Sequence, residues 1–393
     1  MFTGATDATR GLAADVVPGR WSAAGELPKA TWLATNTAVV LGNGTVLLAG
    51  GEDAQRNAFD DATLYDPATN AWTPTGKLTT TRRLHTLTHL MDGRVLAVGG
   101  IGGPFATPPD ELDSAEIYDP ATGTWTPTGR LHQARYYHSA TLLPDGKVLV
   151  AGGTSIRSAE SFRTLHSAEL FDPNTGTWSP TGSMTDARTG HPAVSLLNGR
   201  VLVAGGMVIV TRDDAAGIAH CEIYDPASGT WKPTGNLVTP RISGEAVPLP
   251  DGSVLLTGGG QGIFQNWDYS PYSLSSTERY DPATGRWSPA ADMPWGMSFH
   301  RAVPLPSGEV LVVGGTDAGC VDVGFRETFT YDPATQAWSI TGGLSVGRWD
   351  FTAVGLPDGR VLAAGGITLG PLATASGAAL ELTSTAEIFT PGG

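Results

Sequence analysis

Cysteine is nearly absent from this sequence: only Cys221 and Cys320 occur in 393 residues. Two cysteines make no disulfide framework, and neither sits in a CxxC or Cys/His spacing that would hold zinc. Charge is scarce too, at 16% of residues, with 24 basic against 38 acidic side chains and a net charge of −14. No basic cluster exists to neutralise phosphates, which excludes nucleic acid as an expected partner. The acidic balance also disfavours an anionic membrane surface. No apolar run reaches the length of a transmembrane helix. The stretch MFTGATDATRGLAADVVPGRW lacks a basic start followed by an apolar core, so it does not read as a secretory signal. A cytoplasmic protein, monomeric by default, is the expectation.

Glycine and proline, by contrast, are abundant, at 52 and 28 residues. They recur in register, which argues for ordered turns rather than disorder. A Gly-Gly pair ends an apolar run at Gly50, Gly99, Gly152, Gly205, Gly258, Gly314 and Gly365. The spacing runs from 49 residues (Gly50 to Gly99) to 56 (Gly258 to Gly314). An aromatic-Asp-Pro signature follows each of the first six pairs, as in Tyr65-Asp66-Pro67 and Phe171-Asp172-Pro173. In the seventh copy, Phe389-Thr390-Pro391, the Asp is gone. A tryptophan follows each Asp-containing copy: Trp72, Trp125, Trp178, Trp231, Trp287 and Trp338. Self-similarity at this period marks a repeat architecture.

These motifs resemble the kelch repeat, each copy of which is a four-stranded propeller blade. The resemblance spans nearly the whole chain and implies an all-β, seven-bladed β-propeller of the stand-alone bacterial type. Within one repeat, YYHSATLL is strand A, PDG a turn, KVLVAGG strand B, SAELFD strand C and TWSPT strand D. The blades begin near residues 32, 82, 135, 188, 241, 297 and 348, in one domain covering 1–393. The seventh repeat lacks its tryptophan strand, but residues 18–27, PGRWSAAGEL, match TGTWTPTGRL of the second repeat. Trp21 is therefore expected on the outer strand of blade seven, closing the ring and removing the sheet edges.

Short, repetitive A–B and C–D turns are expected on one face. Variable D–A and B–C segments occupy the other, where function usually resides. Comparison among the repeats sorts scaffold from site. Arginine stands three residues before a recurrent histidine position in five blades, as Arg82, Arg135, Arg188, Arg241 and Arg348. Those same five carry Glu116, Glu169, Glu222, Glu278 and Glu387 on strand C, while blades one and six carry Leu33/Thr63 and Met297/Phe329. Such joint occurrence predicts an intrablade ion pair. The histidine position itself reads Asn36, His85, His138, His191, Gly244, His300 and Phe351. Recurrence makes most copies structural, yet consecutive His85, His138 and His191 are the set that would hold a metal if one is bound.

Residues outside the repeat point to a site. Trp32, Trp267, Trp295 and Trp349 fall in D–A or B–C segments of neighbouring blades. They are expected to form an aromatic wall facing a polar wall of Arg83, Tyr136, Tyr137 and the histidines. Arg83 and Arg301, outside the paired series, would orient an anionic group. Tyr137 and His138 are the candidate acid–base pair, with His85 and His191 as further catalytic candidates and Tyr136, His300 and Asp350 among the substrate contacts. Asp350, Glu245 and Asp317 are the acidic candidates near the mouth. The expected function is a small-molecule enzyme or binder for an aromatic or anionic ligand, working by acid–base, cyclase, isomerase or lyase chemistry. The alternative is a non-catalytic protein- or carbohydrate-interaction module.

YYHSATLLPDG is also similar to the Tyr-His strand of galactose-oxidase-like copper radical oxidases. That resemblance implies copper held by two histidines and two tyrosines, one tyrosine linked to a cysteine. Tyr137 and His138 match the motif, and His85 or His191 would supply the second imidazole. No cofactor is otherwise expected.

Overall fold

A computed structural model describes residues 18–33, 37–104, 110–158, 161–209, 214–261, 263–265, 268–269, 272–317, 323–370 and 380–392. Trp267, Cys320 and Asn36 lie outside these. Seven four-stranded antiparallel sheets follow one another round a ring, and no described residue is α-helical. Blade three shows the pattern: Ser139–Leu142, Val148–Ala151, Ala168–Asp172 and Thr177–Pro180, hydrogen-bonded in chain order.

Strand B is buried at every residue in all seven blades, for example Val148 to Ala151. A strand covered on both faces by neighbouring blades has no polar side, so its run is continuously apolar rather than alternating. The strand-C aromatic stands opposite the strand-D tryptophan in register, as Tyr118 opposite Trp125 and Phe171 opposite Trp178. Several of these indoles then staple blade to blade: Trp178 Nε1 donates to Gly129 O and Trp231 Nε1 to Gly182 O, at 2.9 and 2.8 Å.

The Asp of the Asp-Pro signature caps the C–D turn. Asp119 Oδ1 accepts the Ala121 N–H, and Asp172 Oδ1 the Asn174 N–H, both at 2.9 Å. Such Asx turns are the reason Asp recurs there. Thr390 replaces it because blade seven has no C–D turn: its fourth strand comes from the other end of the chain. Arg20–Glu26 pairs antiparallel with Thr385–Thr390, with Trp21 opposite Phe389. The ring closes as the sequence predicts.

Candidate functional site

The Gly-Gly pairs and the histidines explain each other. A Cβ on Gly99 would lie 2.5 Å from Arg135 O and 3.0 Å from His138 Cε1; one on Gly100 would lie 2.8 Å from His85 Cβ. Each imidazole is thus wedged between the glycines of its own blade and those of the blade before. Phe351 fills the same wedge against Gly314, and Leu33 against Gly365. The far ring nitrogens bond sideways: His138 Nε2 with Thr86 Oγ1 at 3.1 Å, His191 Nε2 with Ser139 Oγ at 3.0 Å, His300 Nε2 with Thr257 Oγ1 at 2.8 Å. Burial first, then the neighbouring arginine, pushes His138 and His300 down to about 3, and His85 and His191 well below the usual imidazole range. These four are neutral blade joints. Of the expected catalytic histidines His85, His138 and His191 and the expected substrate contact His300, all four fill blade joints, and His138 and His191 also line the mouth cavity described below.

The five expected ion pairs form. Arg82–Glu116, Arg135–Glu169, Arg188–Glu222, Arg241–Glu278 and Arg348–Glu387 lie 2.6, 3.1, 3.1, 2.7 and 2.9 Å apart, essentially unexposed. Blade one needs a different alignment from the expected one. Thr31, not Leu33, stands at the arginine position, because Thr31 O accepts the Gly366 N–H as Arg135 O accepts that of Gly100.

In blades two to seven the backbone enters the left-handed region two residues after the arginine position: Leu84, Tyr137, Gly190, Ser243, Phe299 and Asp350 have φ of 54°, 53°, 59°, 53°, 54° and 48°. Their backbones join round the channel. Tyr137 N–H donates to Leu84 O, Gly190 N–H to Tyr137 O, Phe299 N–H to Ser243 O and Asp350 N–H to Phe299 O. The turn presents one side chain per blade at the channel mouth. For residues other than glycine it costs about 1–2 kcal/mol each.

Five residues at or beside this ring form a buried charge cluster. Arg301 Nη1 lies 2.8 Å from Glu245 Oε1 and its Nη2 3.5 Å from Asp350 Oδ1, while its Nε donates to Phe351 O at 2.6 Å. Trp32 Nε1 donates to Asp350 Oδ2 at 2.6 Å. Arg83 lies 2.6 Å from Glu52. Arg83 and Arg301, expected to orient an anionic group, are both paired with carboxylates here. Burial is the main cause that raises Glu52 to about 7, partly offset by Arg83; burial likewise raises Glu245 and Asp350 against the pull of Arg301. Tyr137 and Tyr136 are also driven up by burial. At the cavity Glu245 and Asp350 share the single guanidinium of Arg301, while Glu52 feels both Arg83 and Arg56. A carboxylate in a desolvated site with too few cations is shifted toward its protonated form. Glu52 was not among the sequence candidates. It follows Gly50-Gly51 where the sister blades have Ile101, Thr154, Met207, Gly260, Thr316 and Ile367, so comparing that position would have found it. Asp317 lies one residue further, on the B–C segment of blade six.

The aromatics do not form the expected facing wall. Trp32, Tyr136 and Trp349 pack with Leu84, Ile101, Ile367 and Leu380 into one cluster, flanked by Tyr137 and Phe299. Trp32 and Trp349 are each only 9% exposed. Trp295 is elsewhere, edge-on to Phe329 at 5.3 Å on blade six. On the other side of the mouth is a cavity of about 190 Å³, lined by Tyr137, His138, His191, Ser243, Glu245, Phe299, Arg301 and Asp350. B–C loops wall this face. Met207–Ile209 and Asp214–Gly217 of blade four join Ile263–Gln265 and Asp268–Tyr269 of blade five in one sheet. Ile156 N–H donates to Glu111, and Ile209 N–H to Thr164, at 2.7 Å, linking the loops of blades two to four.

The copper implied by the oxidase resemblance does not fit these residues. Thr86 takes the Nε2 of His138, the histidines sit in separate joints, and Cys221 lies in the apolar core of blade four. Among the described residues no group of three His, Cys, Asp or Glu could hold a metal ion. Among them, too, no helix is long and apolar enough to cross a membrane.

A family profile, the Kelch motif, matches residues 82–131 and 246–294. Kelch-like protein 36 of Mus musculus is 27% identical over 262 residues, 65% of this chain and 39% of that protein. Spermatocyte protein spe-26 of Caenorhabditis elegans is 28% identical over 224 residues, 55% of this chain and 36% of that protein. The chain spans about two fifths of the length of such relatives. A fungal alcohol oxidase of the AA5 family, solved with copper, superposes with a TM-score of 0.72 at 21% identity, over 95% of this chain and 76% of that one. That likeness is one of fold. The repeated motifs, the closed ring of seven blades and these matches together show Kelch motifs arranged as a seven-bladed β-propeller.

Proposed function

We propose that the channel mouth binds a small, neutral or cationic polar molecule, and that Glu245 and Asp350 carry out acid–base work on it. The observation behind this reading is the Glu245–Arg301–Asp350 cluster facing a cavity of about 190 Å³. That volume is below the roughly 300–1,000 Å³ of drug-sized sites, so the ligand is small. The carboxylate surplus disfavours an anion and favours a ligand that donates hydrogen bonds. Burial raises both carboxyls above the usual carboxylate range, which favours the protonated form and so the exchange of a proton with a ligand. Arg301 holds both in place and stabilises the ionised one. Tyr137, held protonated by burial, donates a hydrogen bond from the opposite wall.

A thermal-shift panel of small polyols, amines and carboxylic acids tests this. A polyol or amine should raise the melting temperature, and Glu245→Gln and Asp350→Asn should each abolish the rise. A response confined to the carboxylic acids, or none, would overturn the reading. The rival reading, a protein-docking face, would use the loop wall and leave binding intact in both variants.

A further inference from the structure

Five blades fill the same slot with their own arginine and glutamate. In blade two, Arg82 Nη1 donates to Gly99 O at 2.8 Å and Ser114 O at 3.3 Å. Its Nη2 donates to Ser114 Oγ at 3.3 Å and Glu116 Oε1 at 2.6 Å. Glu116 in turn accepts the N–H groups of Thr79 and Thr80, at 2.6 and 3.1 Å. Blade six fills the slot with apolar groups: Met297 and Phe329 are wholly buried, and Trp295 lies against Phe329. Pro294 stands where Thr79 donates, so one of the two N–H groups that the glutamate accepts in blade two is absent here.

Blade one does neither. Thr31 replaces the arginine, Thr63 the glutamate and Pro28 the donor. None reaches the volume of the residues it replaces, and a cavity of about 190 Å³ remains, lined by Pro28, Thr31, Leu48, Gly50, Phe59 and Thr63, with Lys29 and Asp61 also on its wall. A void of that size holds several waters. In a sequence that packs the same slot six other times, it is an exception to close packing.

We propose that this cavity binds a guanidinium group carried on an alkyl stem. The slot has the shape its sisters give to an arginine side chain. Gly50 is the counterpart of Gly99, whose carbonyl takes the guanidinium in blade two. Asp61 is the counterpart of Ser114, so a carboxylate stands where a hydroxyl accepts Nη2 of Arg82. A cation already lies there: Lys29 Nζ pairs with Asp61 and sits 3.6 Å from the centroid of the Phe59 ring. Lys77 Nζ is 2.9 Å from Asp61. Both lysines are largely in solvent, at 43% and 62% exposure, so exchanging either for a better-fitting cation costs little. A planar guanidinium stacks on an aromatic face and bonds carbonyl and carboxylate together, which an ammonium does less well.

Isothermal titration with N-acetyl-arginine methylamide tests the proposal, with N-acetyl-citrulline methylamide as the uncharged isostere. The arginine derivative should bind saturably and the citrulline derivative at least tenfold more weakly. Thr31→Arg with Thr63→Glu installs the sister blades' own pair and should abolish binding. Thr31→Met with Thr63→Phe, the blade-six solution, should do the same, so one misfolded variant leaves the other informative. Asp61→Asn should weaken binding at least fivefold. A peptide with one internal arginine that binds tighter than the amide makes the guest a partner's arginine; weaker binding makes it a free guanidinium compound. Absence of saturable binding, equal binding of the citrulline derivative, or undiminished binding in both filled variants would overturn the proposal.

Discussion

Trp32 donates its indole N–H to Asp350 across the joint between blades one and seven, at 2.6 Å, joining residues 318 apart in sequence. The bond satisfies a carboxylate that burial would otherwise leave short of donors, and it holds a residue whose φ of 48° is unfavourable for most side chains. Trp32→Phe keeps the packing and removes the donor. It should cost about 1–3 kcal/mol of unfolding free energy in urea titration, the range for a buried acceptor losing its partner. Asp350→Asn should be milder, because an amide oxygen still accepts.

The buried ion pairs are all-or-none devices. Arg135→Met strands Glu169 and should destabilise by about 3–5 kcal/mol. Adding Glu169→Phe and His132→Pro converts blade three to the blade-six set and should recover most of that loss. Calorimetric melting of the single and triple variants decides it; a triple variant no more stable than the single one shows that the blade-six packing does not transfer.

Gly100→Ala and Gly93→Ala separate crowding from backbone strain. Both glycines have positive φ, 97° and 87°. A Cβ on Gly100 would lie 2.4 Å from Arg83 O, whereas one on Gly93 meets nothing within 4 Å. Gly93→Ala should therefore cost only about 1–2 kcal/mol of left-handed backbone strain. Gly100→Ala should lower the melting temperature by several times as much. Equal shifts would show that the glycine is not kept for the His85 wedge.

Stability should fall on acidification below pH 6.5. His138 and His300 bind protons at about 6.5 when unfolded but only at about 3 when folded. Between those values the unfolded chain carries the extra protons, so the contribution is whole above 6.5 and is lost as pH falls toward 3. Glu52 acts oppositely: its folded value near 7 exceeds the ordinary 4.5 of the unfolded chain, so its contribution is whole below 4.5 and is lost as pH rises through 7. Four lowered histidines stand against four raised carboxylates, Glu52, Glu111, Glu245 and Asp350, but eight aspartates with lowered values act in the same sense as the histidines, and the net slope follows them. His138→Gln should flatten the slope of unfolding free energy between pH 4 and 6 by about one proton, read from urea titrations at each pH.

Removing residues 1–26 deletes the outer strand of blade seven and bares the edge at Thr385–Thr390. An open hydrophobic edge recruits another chain. The truncated protein should elute as higher oligomers or aggregate in size-exclusion chromatography; a monomer with an unchanged melting temperature would contradict the closure.

Much was legible in the sequence because each blade repeats one solution to the same local problem. Gly-Gly, Tyr-Asp and Trp mark backbone turns and neighbour contacts that depend on residues within about one repeat, so period and offset sufficed for the fold, the closing strand and the five Arg–Glu pairs. Comparison among the repeats also placed Tyr137, Arg301, Glu245 and Asp350 on the loop-bearing face. It could not say that Arg83 meets Glu52, that Arg301 meets Glu245 and Asp350, or that Trp32 reaches Asp350. Those pairings cross from one blade to another, Trp32 to Asp350 over 318 residues, and charge balance in a desolvated site is a property of everything that converges there. Nor could it show that histidines at a shared position are wedged between glycines of two blades, since both the wedge and the cavity of blade one are made of shape. Sequence patterns record what each segment needs locally; which charges end up neutralised and which volumes stay empty follow from the closing of the ring.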